Sequence, residues 1–105
     1  MVKVRDTKFN VGQIIHHRLF DYRGVIVDVD PEFMGTDEWY DTVAKTHPPK
    51  DQPWYHVLVD EGDFNTYVSE QNLEPDLSRD SVDHPLVNAF FKKFEDGVYK
   101  KQLDA

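Results

Sequence analysis

A small antiparallel β-barrel of the SH3-like kind, with one inserted short helix and a C-terminal helix, is the mainly β fold that this chain predicts. Three observations carry the prediction. Short runs rich in β-branched residues alternate with period two. Turn residues punctuate those runs at close intervals. A broad apolar arc at helical spacing lies near the end of the chain. Strands this short, closing on a small core, suit a barrel. The 105 residues fit one domain. Its barrel spans 8–75, and 76–105 form an acidic linker and a C-terminal helix packed on the barrel or on a partner.

Residues 1–8 show no periodicity and are expected to fray. A first strand follows over 13–17. Asp21 and Gly24 supply turn chemistry, and 25–29 form a second strand that pairs with the first as a hairpin. Val25, Val27 and Val29 share its inner face by period-two spacing. Asp30-Pro31 breaks that strand. Within the long connection that follows, 36–45 read as a short helix. Thr36 is its N-cap, with Asp37 and Glu38 at the positive end of the helix dipole. Trp39, Tyr40 and Val43 lie within one turn of each other and pack on the sheet, and Pro48-Pro49 stops the helix.

Pro53 cannot donate a ladder hydrogen bond, so the third strand starts at Trp54 and runs to residue 60. Glu61-Gly-Asp63 turns the chain into an antiparallel partner over 64–69, with Tyr67 on its polar face. Residues 72–75 add a last short strand or a single helical turn. Residues 76–83 are polar and acidic, a linker. Leu86, Val87, Phe90, Phe91 and Phe94 then cover one arc of the terminal helix, which starts near Pro85 and ends at Gly97.

Composition bounds the function. Twenty acids against 12 bases give a net charge of −8, which opposes any partner recruited by bulk positive charge. The charge is uneven, and the first quarter of the chain is basic. With no cysteine there is neither a disulfide framework nor a thiolate metal site. No apolar run approaches the ~20 residues of a membrane span, and the first residues lack the apolar core of a signal peptide. The expectation is a soluble, cytoplasmic protein.

Four stretches carry a resemblance: Lys-Phe-Asn-Val-Gly-Gln at 8–13, Gly-Val-Ile-Val-Asp-Val-Asp-Pro at 24–31, Gln-Pro-Trp-Tyr-His-Val at 52–57 and Thr-Tyr-Val-Ser-Glu-Gln-Asn-Leu at 66–73. In this order they resemble the hemimethylated-DNA-binding, YccV-like family of bacteria. The similarity covers 8–75 well and the terminal segment less. It implies an SH3-like barrel with a helical insertion before the Pro-Trp-Tyr-His-Val strand. It also implies a cytosolic heat-shock protein that binds hemimethylated DNA and serves as a specificity factor, or adaptor, for the Lon protease in protein quality control, often as its substrate too. Homo-oligomers are a further implication. The family has no established catalytic residues, and none is carried over.

The residues themselves offer few alternatives. Adjacent His16 and His17 face opposite ways on a strand, and His47, His56 and His84 lie far apart in sequence. No histidine pair has the i, i+4 spacing of a zinc enzyme, so no metal and no cofactor are expected. The serines lack a nucleophile elbow, the glycines form no phosphate loop, and Asp60, Glu61 and Asp63 occupy a turn. The chain is therefore read as non-enzymatic. For DNA, Lys8, Arg18 and Arg23, with Lys3 and Arg5, are the clustered cations that can reach phosphates. For a protein or peptide partner, Trp54, Tyr67 and Trp39 are the candidate groove residues, and Phe91 marks the terminal apolar face that docks on the barrel, another subunit or a protease. Lon and its client proteins are the expected protein partners. A peptide-binding module with an aromatic groove and a purely structural oligomer are the competing readings.

Overall fold

The computed structural model describes residues 6–44 and 46–101; Lys3 and Arg5 lie outside them. Seven strands form two antiparallel sheets. β1 (Ile14–His17), β2 (Arg23–Asp30), β3 (Trp54–Val59), β4 (Asn65–Ser69) and β5 (Leu73–Pro75) build a five-stranded sheet in the order β4-β3-β2-β1-β5. The expected β1–β2 hairpin is present, with Ile14 opposite Val25. A 3-10 turn, Glu70–Asn72, links the two edge strands. The last segment therefore holds both a helical turn and a short strand.

The period-two argument fails at one place. The β2–β3 register steps from Ile26 opposite Val57 to Asp28 opposite His56, so Val27 is the extra residue of a bulge. An extra residue reverses which face the following side chains take. Val25, Val27 and Val29 therefore do not share an inner face. Ile26 and Val29 pack into a core with Phe9, Ile15, Tyr55, Val57, Val68 and Leu73, to which all five strands contribute. Val25 and Val27 turn to the other side, into a second core with Ile14, Leu58, Val82, Val87, Phe91 and Tyr99. Neighbouring Ile14 and Ile15 feed one core each. The sheet is apolar on both faces because the C-terminal segment covers its outer one.

That segment corrects the expected terminal helix. Only α2 (Val87–Phe90) is helical; β6 (Lys93–Glu95) and β7 (Val98–Lys100) follow as a hairpin. Asp96 (φ 55°) and Gly97 (φ 78°) form its two-residue turn, the positive-φ pair that twisted antiparallel strands favour. The Tyr99 amide donates to Gly12 O at 2.9 Å. Gly12 has φ 93°, and a Cβ there would lie 2.0 Å from Tyr99 O. The Tyr99 hydroxyl accepts from Val82 N at 2.8 Å. Residues 76–83 are thus no free linker: Val82 and His84 are buried, and Arg23 grips the chain between them and β5.

The inserted helix, α1 (Asp37–Val43), starts where its cap dictates: Thr36 Oγ1 accepts from Trp39 N at 3.1 Å. Tyr40 is buried, Trp39 half-buried, and Val43 exposed, so α1 packs through two of the three expected residues. It stops before Pro48 and Pro49.

Candidate nucleic-acid interface

Four rings gather where α1 leans on β3 and β4. Trp54 and Tyr67 are 5.2 Å apart by ring centroids, and Trp39 stands edge-on to both, at 6.1 and 5.6 Å. Phe33, which the sequence reading passed over as loop, sits within 6 Å of Trp39, Trp54 and Tyr67. Strand register explains the grouping: Trp54 pairs with Ser69 and His56 with Tyr67 across β3–β4. Asp30 locks it. Its Oδ2 accepts from the Tyr67 hydroxyl at 2.7 Å and lies 3.0 Å from His56 Nε2. Burial, then donation to Asp30, holds the Tyr67 phenol well above its ordinary pKa, so it stays a neutral donor. Asp28, Asp30 and His56 form the one group of potential metal-ligating side chains among the described residues, and Asp30 already serves two partners there.

The β1–β2 turn supplies a second set of rings. His17 stacks on Phe20 at 4.6 Å and contacts Tyr22 at 5.1 Å. His17 Nδ1 accepts the amides of Leu19 and Phe20 at 3.1 and 3.0 Å, which requires a neutral imidazole with its proton on Nε2. Burial, and then the neighbouring charge of His16, lowers its pKa accordingly. His16 behaves oppositely. It lies between Asp21 at 2.6 Å and Glu74 at 2.8 Å, and hydrogen bonds to these carboxylates raise its pKa. A cavity of about 370 Å³ opens between the two ring sets, with Asn65, Thr66, Ser69 and Asn72 also on its wall.

The nominated cations separate into two kinds. Arg23 is spent inside the protein. Its guanidinium bonds Asp60 at 2.8 Å and Asp76 at 3.0 Å and also reaches the carbonyls of Asp80 and Ser81. Burial opposes its charge, but the two carboxylates outweigh burial and raise its pKa. Arg23 is therefore withdrawn as a phosphate contact. Arg18 and Lys8 are exposed, and neither pairs with a carboxylate among the described residues. Both flank the Glu70–Asn72 turn: the Lys8 amide donates to Glu70 at 2.9 Å, and the Arg18 amide to Asn72 O at 2.8 Å. Arg18 lies in the chain between His17 and Leu19, which line the cavity, and its Nη1 donates to Gln71 O at 3.5 Å.

The protein-binding nominations divide as well. Tyr67 and Trp39 are half-buried beside the cavity. Trp54 is only 1% exposed, its Nε1 donating to Pro49 O, so it backs the cavity wall and is not a free ring. Phe91 is 3% exposed, inside the second core, and cannot dock on a partner. The sequence reading missed His17, Phe20 and Tyr22 because a turn was assigned there by its Asp and Gly alone. It also missed the terminal hairpin, where Lys93 and Lys100 pair across two adjacent strands flanked by Lys92 and Lys101, with Glu95 pairing Lys93 and Lys100 at 3.2 Å each. Asp-Gly at 96–97 was the available signal.

A family model described as hemimethylated DNA-binding protein, YccV-like, matches residues 7–98.

Proposed function

The chain belongs to the YccV-like family of hemimethylated DNA-binding proteins, and from that premise we propose that it binds hemimethylated DNA and serves as a specificity factor for the Lon protease. The DNA half rests on one geometric observation. Lys8 and Arg18, which pair with no carboxylate among the described residues, are brought to a single turn beside an aromatic cavity. Cations set phosphate register but carry little sequence information. The rings beside them supply stacking that holds any base and apolar contact that favours a methyl group. With a net charge of −8 around so few contacts, affinity is modest and falls as salt is added.

The protease half rests on the surface. Leu86 at the start of α2, Phe90 on it, and Phe94 and Val98 on the terminal hairpin are all partly exposed, and Lys92, Lys93, Lys100 and Lys101 lie in the same segment of the chain. Leu77 is 87% exposed between this region and the barrel. Apolar side chains rimmed by charge suit docking on another protein. In this reading the protein is a cytoplasmic, homo-oligomeric adaptor that performs no catalysis of its own.

Two measurements test the proposal. A duplex with one methylated GATC strand is expected to shift at lower protein concentration than the unmethylated duplex in low salt; equal binding rejects the DNA half. Adding the protein to purified Lon is expected to speed degradation of selected clients. An unchanged rate across a client panel rejects the adaptor half.

A further inference from the structure

The cavity beside Arg18 has two aromatic walls. Trp39, Trp54 and Tyr67 contact one another on one side. On the other, His17 contacts both Phe20 and Tyr22. Among the described residues no ring of the first set contacts a ring of the second, yet all six line one space of about 370 Å³. That volume lies at the small end of ligand pockets, which run from ~300 to 1,000 Å³. It suits one ring system and excludes a stacked pair.

Polar groups lie where such a ring would present its edge. Asn65, Thr66 and Asn72 line the cavity. Ser69, on the same wall, holds the one buried side-chain oxygen among the described residues that has no hydrogen-bond partner. That oxygen is itself shielded from the cavity, so the polar edge a guest would meet is the side chains of Asn65, Thr66 and Asn72. Arg18 follows His17 on the turn that carries Phe20, next in the chain to two lining residues, with its guanidinium on Gln71 O beside Asn72. An aliphatic peptide side chain would leave the polar groups of Asn65, Thr66 and Asn72 unused. A nucleobase uses the ring walls, the polar edge and, through its phosphate, the arginine.

We infer that this cavity takes the methylated base of hemimethylated DNA, turned out of the duplex between the Trp39–Trp54–Tyr67 wall and the His17–Phe20–Tyr22 wall, with Arg18 on the adjoining phosphate. The inference rests on the DNA-binding reading and specifies how methylation is sensed. The methyl group is buried among rings, which favours the methylated base by roughly fourfold per buried carbon. Extruding the base costs pairing and stacking, and the walls return stacking.

The test uses the full chain and a duplex with N6-methyladenine on one GATC strand. Permanganate oxidises a thymine that has lost its partner. Wild-type protein is expected to raise oxidation of the thymine opposite the methylated adenine, and not of other thymines. Phe20 is 68% exposed, so Phe20→Ala should fold. It is expected to abolish the permanganate signal and weaken hemimethylated binding by roughly tenfold or more, a larger loss than for the unmethylated duplex. Trp39→Leu, on the other wall, is expected to do the same, and urea midpoints confirm that both variants fold. If the wild type binds the methylated duplex selectively while its thymine stays protected, the base is not extruded; the inference fails and the DNA reading stands. If selectivity survives both substitutions, the cavity is not the sensor. If the substitutions impair only client degradation by Lon, the occupant is a peptide and the inference is overturned. If no methyl-selective binding occurs at all, the DNA reading itself falls.

Discussion

Replacing Arg23 by alanine should cost about 3 kcal/mol, because it removes the one group that ties three parts of the chain together. The guanidinium joins β2 to Asp60 after β3 and to Asp76 after β5, and it caps the carbonyls of Asp80 and Ser81. The side chains of Asp60 and Asp76 are only 15% and 12% exposed. Breaking a buried pair by deleting one partner costs ~3–5 kcal/mol, since a shielded charge is left alone. Residual water at both carboxylates moves this to the low end. Residues 80 and 81 are exposed, so water replaces the guanidinium at their carbonyls and adds little. For a domain of this size the loss is a melting shift of roughly 10–20 °C. Urea unfolding measures it directly, with the midpoint falling at an unchanged slope. The pH dependence adds a signature. Burial would raise the Asp76 pKa, but Ser78 and Arg23 bring it below the ordinary carboxylate value. Its stabilisation is therefore present above that ordinary value and lost as pH falls through the depressed one. The gap between wild type and variant should narrow in acid. A cost below about 1 kcal/mol, or a gap constant with pH, would refute the argument. Arg23→Lys should recover only part of the loss, because a point charge cannot serve both carboxylates as a planar fork does.

Other perturbations separate the remaining assignments. Arg18→Ala and Lys8→Ala should each reduce the salt dependence of duplex binding by about one unit in log–log slope, whereas Arg23→Ala, measured well below its melting temperature, should leave the slope alone. Adjacent histidines should give opposite pH effects, read as melting temperature against pH. The His17 contribution is whole above the ordinary imidazole value and is lost as pH falls through the depressed one, so His17→Gln should flatten the acid side. The His16 contribution is whole below the ordinary value and is lost as pH rises through the raised one, so His16→Gln should flatten that side instead. Gly12→Ala forces a side chain against Tyr99 O in a left-handed backbone. It should cost at least about 2 kcal/mol and release the hairpin; unchanged hydrogen-exchange protection at the Tyr99 amide would contradict that role.

What the sequence disclosed, and what it withheld, follows the range of each signal. Thr36 announced α1 because a cap acts on the amide three residues on. Pro53 set the start of β3 because a missing donor is a local fact. Cavity residues Trp39 and Tyr67 were legible from their polar-face or insertion setting. The bulge at Val27 was not, since it depends on how β2 meets β3, and one extra residue moved Val29 to the enclosed core. The terminal arc of Leu86, Val87, Phe90, Phe91 and Phe94 was read as a helix because helical spacing outweighed Asp-Gly at 96–97. The hairpin won because Tyr99 and Phe91 could cover the outer face of the sheet beside Gly12. Arg23 looked like a surface cation for the same reason: its two carboxylates come from 37 and 53 residues further along the chain.

The distribution of charge explains how an acidic protein can present a nucleic-acid surface at all. Counting bases predicts repulsion, yet the bases are not equivalent once the chain folds. Arg23 is neutralised by Asp60 and Asp76, Lys50 by Asp37, and Lys93 and Lys100 by Glu95. Lys8 and Arg18 escape because the Glu70 carboxylate beside them is already engaged by the Tyr55 hydroxyl at 2.6 Å and the Lys8 amide at 2.9 Å. A buried acid thus organises the turn from which two free cations project. The surrounding negative field disfavours every duplex alike. Discrimination must then come from contacts made within a few ångströms, the role we propose for the ring-lined cavity next to Arg18 in the chain.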